Sequence, residues 1–291
     1  MLESVSLKNK LFDNKTLVFP GVYDSLSASI AAHCGFKEVY VSGAAVSYSL
    51  LGKPDIGLVT MAEMVSRISN IYDSSEQTII ADGDTGYGNA LNVIRTVKAY
   101  EKAGAACIQL EDQLMPKRCG HMFGKTIIEA EEMAGKIKAA CDARVSEDFL
   151  IIARTDANAV SGLDEAINRG HLYLESGADI LFIEAPDNVE QMSTICKVFK
   201  GKTLMANMVE GGNTPILPLE ELTKIGYSIV IYPGASARVV AKALTGLYSH
   251  IKKKGDTLEY LDNMFVFDEF NEILKLSEIR ETEQKYKQTR E

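Results

Sequence analysis

A short segment near the middle of the chain combines a thiol with an imidazole and two cationic side chains. It reads Lys117-Arg118-Cys119-Gly120-His121. Nearby positive charge lowers the proton affinity of a thiol, so such a cysteine can exchange a proton at neutral pH. We therefore predict that Cys119 is an acid–base catalyst. Because thiol reactivity also depends on exposure, the alternative is a loop cysteine without a chemical role.

Two acidic pairs stand at the ends of apolar runs upstream of this segment. Asp82 and Asp84 end one run, and Glu111 and Asp112 end the next. Oxygen ligands without clustered His or Cys suit a hard cation, Mg²⁺ or Mn²⁺, rather than zinc. Carboxylates this close would repel each other unless a cation or protons intervened. We predict a divalent metal site. The alternative is that the two aspartates cap a helix or brace the turn at 83–86.

Eight short β-branched runs are predicted strands, and helical patterns separate them. Their nearly continuous apolar character indicates parallel strands that are buried on both faces. The runs are 17–19, 38–41, 78–81, 106–110, 149–153, 179–183, 203–206 and 228–231. Eight βα units favour a fold of the α/β class, a TIM (β/α)8 barrel, over an open doubly wound sheet. No GxGxxG follows the first strand, which also counts against a dinucleotide-binding sheet.

Two regions interrupt the repeat of strands and helices. Residues 112–127 are too many for a simple βα turn and include Cys119, so we predict an active-site loop there. We assign residues 1–245 to the barrel domain and residues 246–291 to a C-terminal helical extension. The extension contains the apolar run 265–270, which predicts packing on a neighbouring subunit.

The C-terminal ends of the strands form the mouth of a TIM barrel, where active sites lie. The polar or flexible residues that end or follow the predicted strands are Tyr40, Ser42, Gly43, Asp82, Asp84, Glu111, Arg154, Asp156, Glu184, Asn207, Glu210, Tyr232 and Arg238. Residues two apart on a strand face the same side, so Arg154 and Asp156 could point together into the mouth. The guanidinium of Arg154 suits a substrate carboxylate. The alternative is an internal salt bridge from Arg154 to Asp156 or Glu184.

The overall charge excludes several classes of partner. The formal net charge is −9 at pH 7, and no long Lys/Arg block is present. That balance argues against a nucleic-acid groove or a membrane-surface patch.

The first residues do not read as a signal peptide, and no apolar run approaches the ~20 residues of a bilayer span. The five cysteines form no CxxC pair. We expect a cytoplasmic enzyme that acts on a small molecule.

With these residues in place, the chain resembles the isocitrate lyase/phosphoenolpyruvate mutase superfamily from about Phe19 to Arg238. The segments that carry the resemblance are Ser42-Gly43, Asp82-Gly83-Asp84-Thr85-Gly86-Tyr87-Gly88, Gln109-Leu110-Glu111-Asp112-Gln113, Lys117-Arg118-Cys119-Gly120-His121, Ala153-Arg154-Thr155-Asp156-Ala157 and Asn207-Met208-Val209-Glu210-Gly211-Gly212. The resemblance implies a TIM barrel with Mg²⁺ or Mn²⁺ at its mouth. It also implies a homotetramer in which C-terminal helices are exchanged between paired subunits.

The resemblance further implies roles for single residues. The metal carboxylates would be Asp82 and Asp84, with Asp55 and Glu111 reaching the metal through water. The residues at substrate-binding positions are Ser42, Gly43, Ala44, Lys117, Arg118, Gly120, Arg154, Asn207 and Arg238. Cys119 matches the catalytic thiol, and His121 shares its loop. For the base that takes the substrate hydroxyl proton, Tyr40 and Glu184 are both candidates.

The KxCGH pattern around Cys119 is similar to that of lyases that cleave carbon–carbon bonds. The resemblance implies retro-aldol cleavage of a carboxylate of the 2-methylisocitrate or 2,3-dimethylmalate type, giving pyruvate plus succinate or propionate. Val209 and Gly211 depart from the methylisocitrate pattern and look more like the dimethylmalate one. The alternatives are a carboxyphosphonoenolpyruvate phosphonomutase or an oxaloacetate decarboxylase of the same superfamily. A non-catalytic barrel is disfavoured because a scaffold needs no metal carboxylates.

Overall fold

The computed structural model describes residues 6–12, 15–120 and 124–287. Its centre is a closed barrel of eight parallel strands. Each strand pairs with the strands that precede and follow it in the sequence. The strands are β1 (Leu17–Val22), β2 (Glu38–Val41), β3 (Thr78–Asp82), β4 (Cys107–Glu111), β5 (Leu150–Thr155), β6 (Ile180–Ile183), β7 (Thr203–Asn207) and β8 (Ile229–Tyr232). The barrel closes where β8 pairs with β1, with Leu17 opposite Ile229. The prediction of a TIM barrel is confirmed.

Helices follow the strands and cover the barrel. They are α1 (Leu7–Phe12), α2 (Ser25–His33), α3 (Gly43–Val46), α4 (Met61–Ser75), α5 (Ala90–Lys102), α6 (Ala130–Ala143), α7 (Ala157–Ser161), α8 (Leu163–Glu175), α9 (Val189–Val198), α10 (Leu219–Ile225), α11 (Ala235–Lys254), α12 (Phe267–Ile273) and α13 (Leu276–Tyr286). A π-helical turn, Ser47–Leu51, continues α3, and a 3-10 helix, Leu258–Asn263, follows α11. No helix in the described ranges combines the length and the apolar character that a membrane span needs.

Local sequence signals set where several helices begin. The side chain of Thr60 accepts a hydrogen bond from the backbone N–H of Glu63, and Glu63 accepts one from the backbone of Thr60. This capping box satisfies two backbone donors at the start of α4 and contributes about 0.5–2 kcal/mol to stability. Asp24 and Ser27 form the same arrangement at the start of α2. The C-terminal extension is helical as predicted, although the expected boundary at residue 245 lies inside the continuous helix α11.

Large apolar side chains fill the interior of the barrel below its mouth. Phe19, Ile80, Ile152 and Phe182 are almost fully buried there, and Leu7 of α1 packs on the same cluster. Each such side chain contributes about 1.5–3 kcal/mol by leaving water. Because these apolar side chains fill the interior, the polar strand-end residues meet above them, at the C-terminal face.

Candidate active site

A cavity of about 270 Å³ opens at the C-terminal ends of the strands. The predicted site residues that line it are Tyr40, Ser42, Ala44, Asp55, Asp82, Lys117, Arg118, Cys119, Gly120, Arg154, Asn207 and Arg238. Gly43, Asp84, Glu111 and Glu184 contact these residues from just outside the lining. His121 lies outside the described residues. Residues that are far apart in sequence therefore meet at one cavity, as expected for a barrel whose active site lies at the C-terminal ends of its strands. We call this expectation the strand-end rule.

Four carboxylates and one lysine form the mouth cluster: Asp55, Asp82, Asp84, Glu111 and Lys117. The chain turns sharply where β3 ends, and Asp84 adopts a left-handed backbone conformation with φ of 47°. This conformation is uncommon for a non-glycine residue. The backbone N–H of Asp84 donates to Asp82 Oδ1 at 3.1 Å. From the start of α3, the N–H of Gly43 donates to Asp82 Oδ2 at 3.2 Å. Asp82 is therefore fixed by backbone donors on both sides.

The ammonium group of Lys117 lies between two of these carboxylates. Its Nζ is 2.6 Å from Asp55 Oδ1 and 2.7 Å from Asp84 Oδ1. Burial acts against its charge, but Asp84, then Glu111 and Asp55, outweigh burial and raise the pKa of Lys117 well above its ordinary value. Within the described ranges, no three His, Cys, Asp or Glu side chains are arranged as a metal centre as they stand.

The carboxylates of the mouth cluster are incompletely neutralised. Burial raises the pKa of Asp84 to about 7, since the lowering effect of Lys117 is opposed by Asp82 and Asp55. Burial likewise raises the pKa of Glu111 well above its ordinary value, although Arg154 and Lys117 lower it. In the described part of the chain, Asp84 Oδ1 has the ion pair to Lys117 but no hydrogen bond, and Glu111 Oε1 has no hydrogen-bond partner. Buried carboxylate oxygens of this kind are suited to a cation.

Arg154, at the end of β5, is held by a neighbour on its own strand and still lines the cavity. Its Nε and Nη2 donate to the two oxygens of Asp156 at 2.9 and 3.0 Å. Its Nη1 is 3.2 Å from Glu111 Oε2, and the guanidinium lies 5.4 Å from the centre of the Phe182 ring. The internal salt bridge that was the alternative to a substrate-binding role is therefore present, to Asp156, and Arg154 Nε also lies 3.9 Å from Glu184 Oε2. Asp156 therefore fixes the orientation of the Arg154 guanidinium, which also lines the cavity.

The loop that carries Cys119 is held by hydrogen bonds at Arg118 and at Cys119 itself. Gln113 accepts a hydrogen bond from the N–H of Arg118 at 2.9 Å and donates to the carbonyl of Arg118 at 2.8 Å. The N–H of Cys119 donates to the carbonyl of Asp55 at 3.3 Å. A side chain at Gly120 would place its Cβ 2.5 Å from Arg154 Nη2, so only glycine fits. Cys119 is half-buried and lines the cavity.

The two candidate bases have different surroundings. The hydroxyl of Tyr40 donates to Gln109 Oε1 at 3.0 Å. Burial, followed by the charge of Asp82, raises the pKa of Tyr40 well above its ordinary value. Tyr40 is therefore a neutral donor in this structure. Glu184 is fully buried and accepts from Asn207 Nδ2 at 3.1 and 3.3 Å.

The cavity also includes residues that the sequence analysis did not single out. Tyr48, Ile231 and Pro233 line it. Pro233 directly follows β8, so the strand-end rule could have found it. Tyr48 lies in the π-helical turn after α3, where no sequence pattern marks it. Burial, and next the charge of Cys119, raises the pKa of Tyr48, so its phenol stays protonated beside the thiol.

Asp112 follows β4 directly but faces away from the cavity. Its Oδ2 accepts from Thr155 Oγ1 at 2.7 Å, Tyr173 OH at 2.8 Å and Arg169 Nη1 at 3.1 Å, and its Oδ1 accepts from the N–H of Asp156 at 2.9 Å. We call Asp112, Thr155, Arg169 and Tyr173 the Asp112 cluster. It joins β4 and β5 to α8 behind the site.

Comparison with known proteins places this architecture among carbon–carbon lyases and their relatives. The family described as Phosphoenolpyruvate phosphomutase matches residues 7–252. The chain is 50% identical to 2,3-dimethylmalate lyase of Eubacterium barkeri, over 98% of this chain and 99% of that protein. It is 43% identical to 2-methylisocitrate lyase of Aeropyrum pernix, over 89% of this chain and 82% of that protein.

Solved structures agree with these relatives. A crystal structure of 2,3-dimethylmalate lyase has a TM-score of 0.92 and 32% identity, covering 97% of this chain and 96% of that one. A phosphonopyruvate hydrolase, solved as a complex with oxalate and Mg⁺⁺, has a TM-score of 0.86 and 29% identity, covering 96% of this chain and 97% of that one.

Proposed function

The chain belongs to the phosphoenolpyruvate mutase/isocitrate lyase superfamily and is a carbon–carbon lyase, and from this premise we propose that its substrate is 2,3-dimethylmalate, which it cleaves to pyruvate and propionate. The observation that carries the proposal is one cavity with three features. It holds a half-buried thiol at Cys119, a pre-oriented guanidinium at Arg154 and the oxygen-rich mouth cluster. The 50% identity to 2,3-dimethylmalate lyase supports it.

We propose that the mouth cluster holds Mg²⁺ or Mn²⁺. Asp82 and Asp84 would bind the cation, with Asp55 and Glu111 acting through water. The residues fit because every donor is an oxygen, and because Asp84 Oδ1 and Glu111 Oε1 lack hydrogen bonds within the described residues. The Mg⁺⁺ complex of the related phosphonopyruvate hydrolase supports this assignment. When bound, the cation supplies Lewis-acid stabilisation of negative charge on the keto-acid fragment.

The side chains divide the work of cleavage among them. Arg154 binds the carboxylate next to the hydroxyl-bearing carbon, and Ser42 lines the same cavity. Glu184, fixed by Asn207, takes the hydroxyl proton, since Tyr40 is a donor. The bond between C2 and C3 then breaks: its electron pair stays on C3, and the C2 hydroxyl oxygen becomes the carbonyl of pyruvate.

Cys119 completes the reaction as the acid. Its Sγ gives a proton to C3, which becomes the CH₂ of propionate, and this leaves a thiolate next in sequence to the cationic residues Lys117 and Arg118. After the products leave, the proton on Glu184 and the one missing from Cys119 are exchanged with water. Cys119 must begin this step as a thiol.

The walls of the cavity favour a dicarboxylate. Val209 and Pro233 contribute apolar surface that suits the methyl group on C3. A 2-methylisocitrate substrate carries a third carboxylate there, which needs its own cation. Arg238 is already paired within the lining of the cavity, because its Nη1 donates to the carbonyl of Glu210 and lies 3.6 Å from Glu210 Oε2. The presence of Arg118 and Arg238 in the lining nevertheless makes 2-methylisocitrate the second candidate.

The test compares substrates and one thiol substitution. Wild-type protein with Mg²⁺ should release pyruvate from 2,3-dimethylmalate with a higher kcat/KM than from 2-methylisocitrate or oxaloacetate. Cys119→Ser should lower kcat by about 10²–10⁴-fold, as expected for a positioned acid. The matched control is Cys34→Ser, since Cys34 is an exposed thiol outside the site. Near-normal turnover of the Cys119 variant, or faster release of pyruvate from oxaloacetate, would refute the assignment.

We further propose a homotetramer in which residues 246–291 pack on a neighbouring subunit. The support is the apolar surface exposed along the C-terminal helices: Val239, Tyr248, Val266 and Phe267 are each more than 60% exposed. A surface this apolar is typical of an interface. A monomeric mass in solution would refute this proposal. We also propose a cytoplasmic location, because all five cysteines are free thiols.

A further inference from the structure

Lys125 is a buried lysine near the end of the Cys119 loop, and the cleavage mechanism does not use it. It is 8% exposed, and its Nζ donates to Asp156 Oδ1 at 2.7 Å and to the carbonyl oxygen of Gly120. Gly120 directly follows Cys119. A buried ammonium group persists only where its donors are satisfied. We propose that Lys125 is a positioning residue that fixes the Cys119 thiol over the cavity, a role that rests on the proposed function of Cys119.

The backbone next to Lys125 is itself attached to the barrel. The N–H of Leu114 donates to the carbonyl of Thr126 at 2.9 Å, and the N–H of Ile128 donates to the carbonyl of Asp112 at 2.9 Å. These bonds join the residues after Lys125 to the chain leaving β4 as a short antiparallel pair, with Gln113 opposite Ile127. Lys125 is therefore a fixed point from which its side chain reaches Gly120.

Lys125 adds an anchor on the far side of Cys119. Gln113 and the carbonyl of Asp55 hold the backbone at Arg118 and Cys119. The Gly120 carbonyl is held by Lys125 instead, and this bond is charge-assisted, which makes it stronger than a neutral one. With both sides fixed, the backbone of Cys119 has little freedom to move the thiol away from the cavity.

Asp156 links this anchor to the substrate-binding arginine. Its Oδ1 accepts from both Lys125 and Arg154 Nη2, while its Oδ2 accepts from Arg154 Nε. Loss of Lys125 therefore leaves the two hydrogen bonds from Arg154 to Asp156 in place. The consequence is a separation of effects. Removing Lys125 should displace the thiol, which acts in the proton-transfer step, while the binding of the substrate carboxylate is retained.

The test is Lys125→Met, which keeps the length of the side chain and removes its ammonium group. The value of kcat should fall by about 10²-fold, the usual effect of misplacing a catalytic group by about 1 Å, with KM little changed. Alkylation of Cys119 by iodoacetamide, followed by mass spectrometry, should become about 10- to 100-fold faster once the charged hydrogen bond is lost. Removal of a positive charge would by itself slow alkylation, because a nearby cation favours the reactive thiolate. Faster alkylation therefore indicates a loss of positioning, and slower alkylation indicates a charge effect.

Two controls and a second variant make the result decisive. Lys10→Met removes an ion pair of the same 2.7 Å length, to Glu38 at the opposite end of the barrel, and should change neither readout. The buried thiols Cys107 and Cys196 report global unfolding, and their labelling should not change. If Lys125→Met does not fold, Lys125→Gln is measured in the same way. Unchanged labelling of Cys119, or a rise in KM without a fall in kcat, would overturn the proposal.

The labelling readout also separates this proposal from the proposed function. If Cys119→Ser keeps full turnover, the acid role of Cys119 fails, yet faster alkylation of Cys119 in Lys125→Met would still show that Lys125 holds the loop. If Cys119→Ser is inactive and Lys125→Met leaves kcat and labelling unchanged, only the role of Lys125 fails.

Discussion

The mouth cluster and the Asp112 cluster contain buried aspartates that follow neighbouring strands, but their surroundings differ. Asp84 is 5% exposed and Asp112 is fully buried. Burial raises the pKa of each carboxyl above its ordinary value. Asp112 accepts hydrogen bonds from four donors, which lie on β5, directly after β5 and on α8. Asp84 Oδ1 instead shares one ammonium group, that of Lys117, with Asp55.

The difference separates a carboxylate that stabilises the fold from one that is available to a ligand. Four donors replace the water that Asp112 loses on burial, so it joins strands and a helix. Among the described residues, Asp84 Oδ1 has only the ion pair to Lys117 and no hydrogen bond. The nearby carboxylates of Asp82 and Asp55 disfavour its ionised form, which an additional cation would stabilise. Active sites commonly contain such incompletely satisfied groups.

The largest expected effect is on catalysis, through the mouth cluster. Asp84→Ala should lower kcat/KM by at least about 10³-fold, because it removes a carboxylate that we propose binds the metal. Calorimetric titration with Mn²⁺ should show loss of binding, while the unfolding midpoint of the cation-free protein should not fall. If the variant binds Mn²⁺ as tightly as the wild type, Asp84 does not bind the metal, and the proposed difference between Asp84 and Asp112 is wrong.

The second effect is on stability, through the Asp112 cluster. Asp112→Ala should lower the free energy of unfolding by about 3–5 kcal/mol, because the buried guanidinium of Arg169 and three further donors lose their acceptor. Urea denaturation measures this loss. Mn²⁺ affinity of the folded variant should match that of the wild type. If the unfolding free energy is unchanged, Asp112 does not stabilise the fold in the way its contacts indicate.

The smallest effect is a pH dependence that belongs to the mouth cluster. The pKa of Asp84 in the folded protein is about 7, above the ordinary value of 3.8. Between pH 3.8 and about pH 7 the folded state binds more protons than the unfolded state. The contribution of Asp84 to the free energy of unfolding is therefore fully present below pH 3.8 and is lost as the pH rises through about 7. Without a divalent cation, the wild type should lose about 1–3 kcal/mol relative to Asp84→Asn between about pH 5 and about pH 8. A parallel pH dependence of the two proteins would contradict this.

The fold and much of the site could be predicted from local sequence. All eight predicted strands overlap observed ones, because continuous apolar runs between helical patterns directly report burial on both faces. The strand-end rule then placed Asp82, Arg154 and Asn207 at one cavity. Tyr48 could not be found in this way, because it lies in a π-helical turn rather than at a strand end.

The sequence by itself determined the order of the strands, the end of the barrel where polar groups gather and the loop that presents Cys119. Only the tertiary structure decided which of these groups are satisfied. Asp112 meets Arg169 from 57 residues away and Lys125 meets Asp156 from 31 residues away. Such partners come within reach only when the barrel closes, and no periodic pattern along the chain records them. Whether a buried carboxylate is fully satisfied depends on these long-range donors, which is why Asp84 and Asp112 are alike in sequence and have different surroundings.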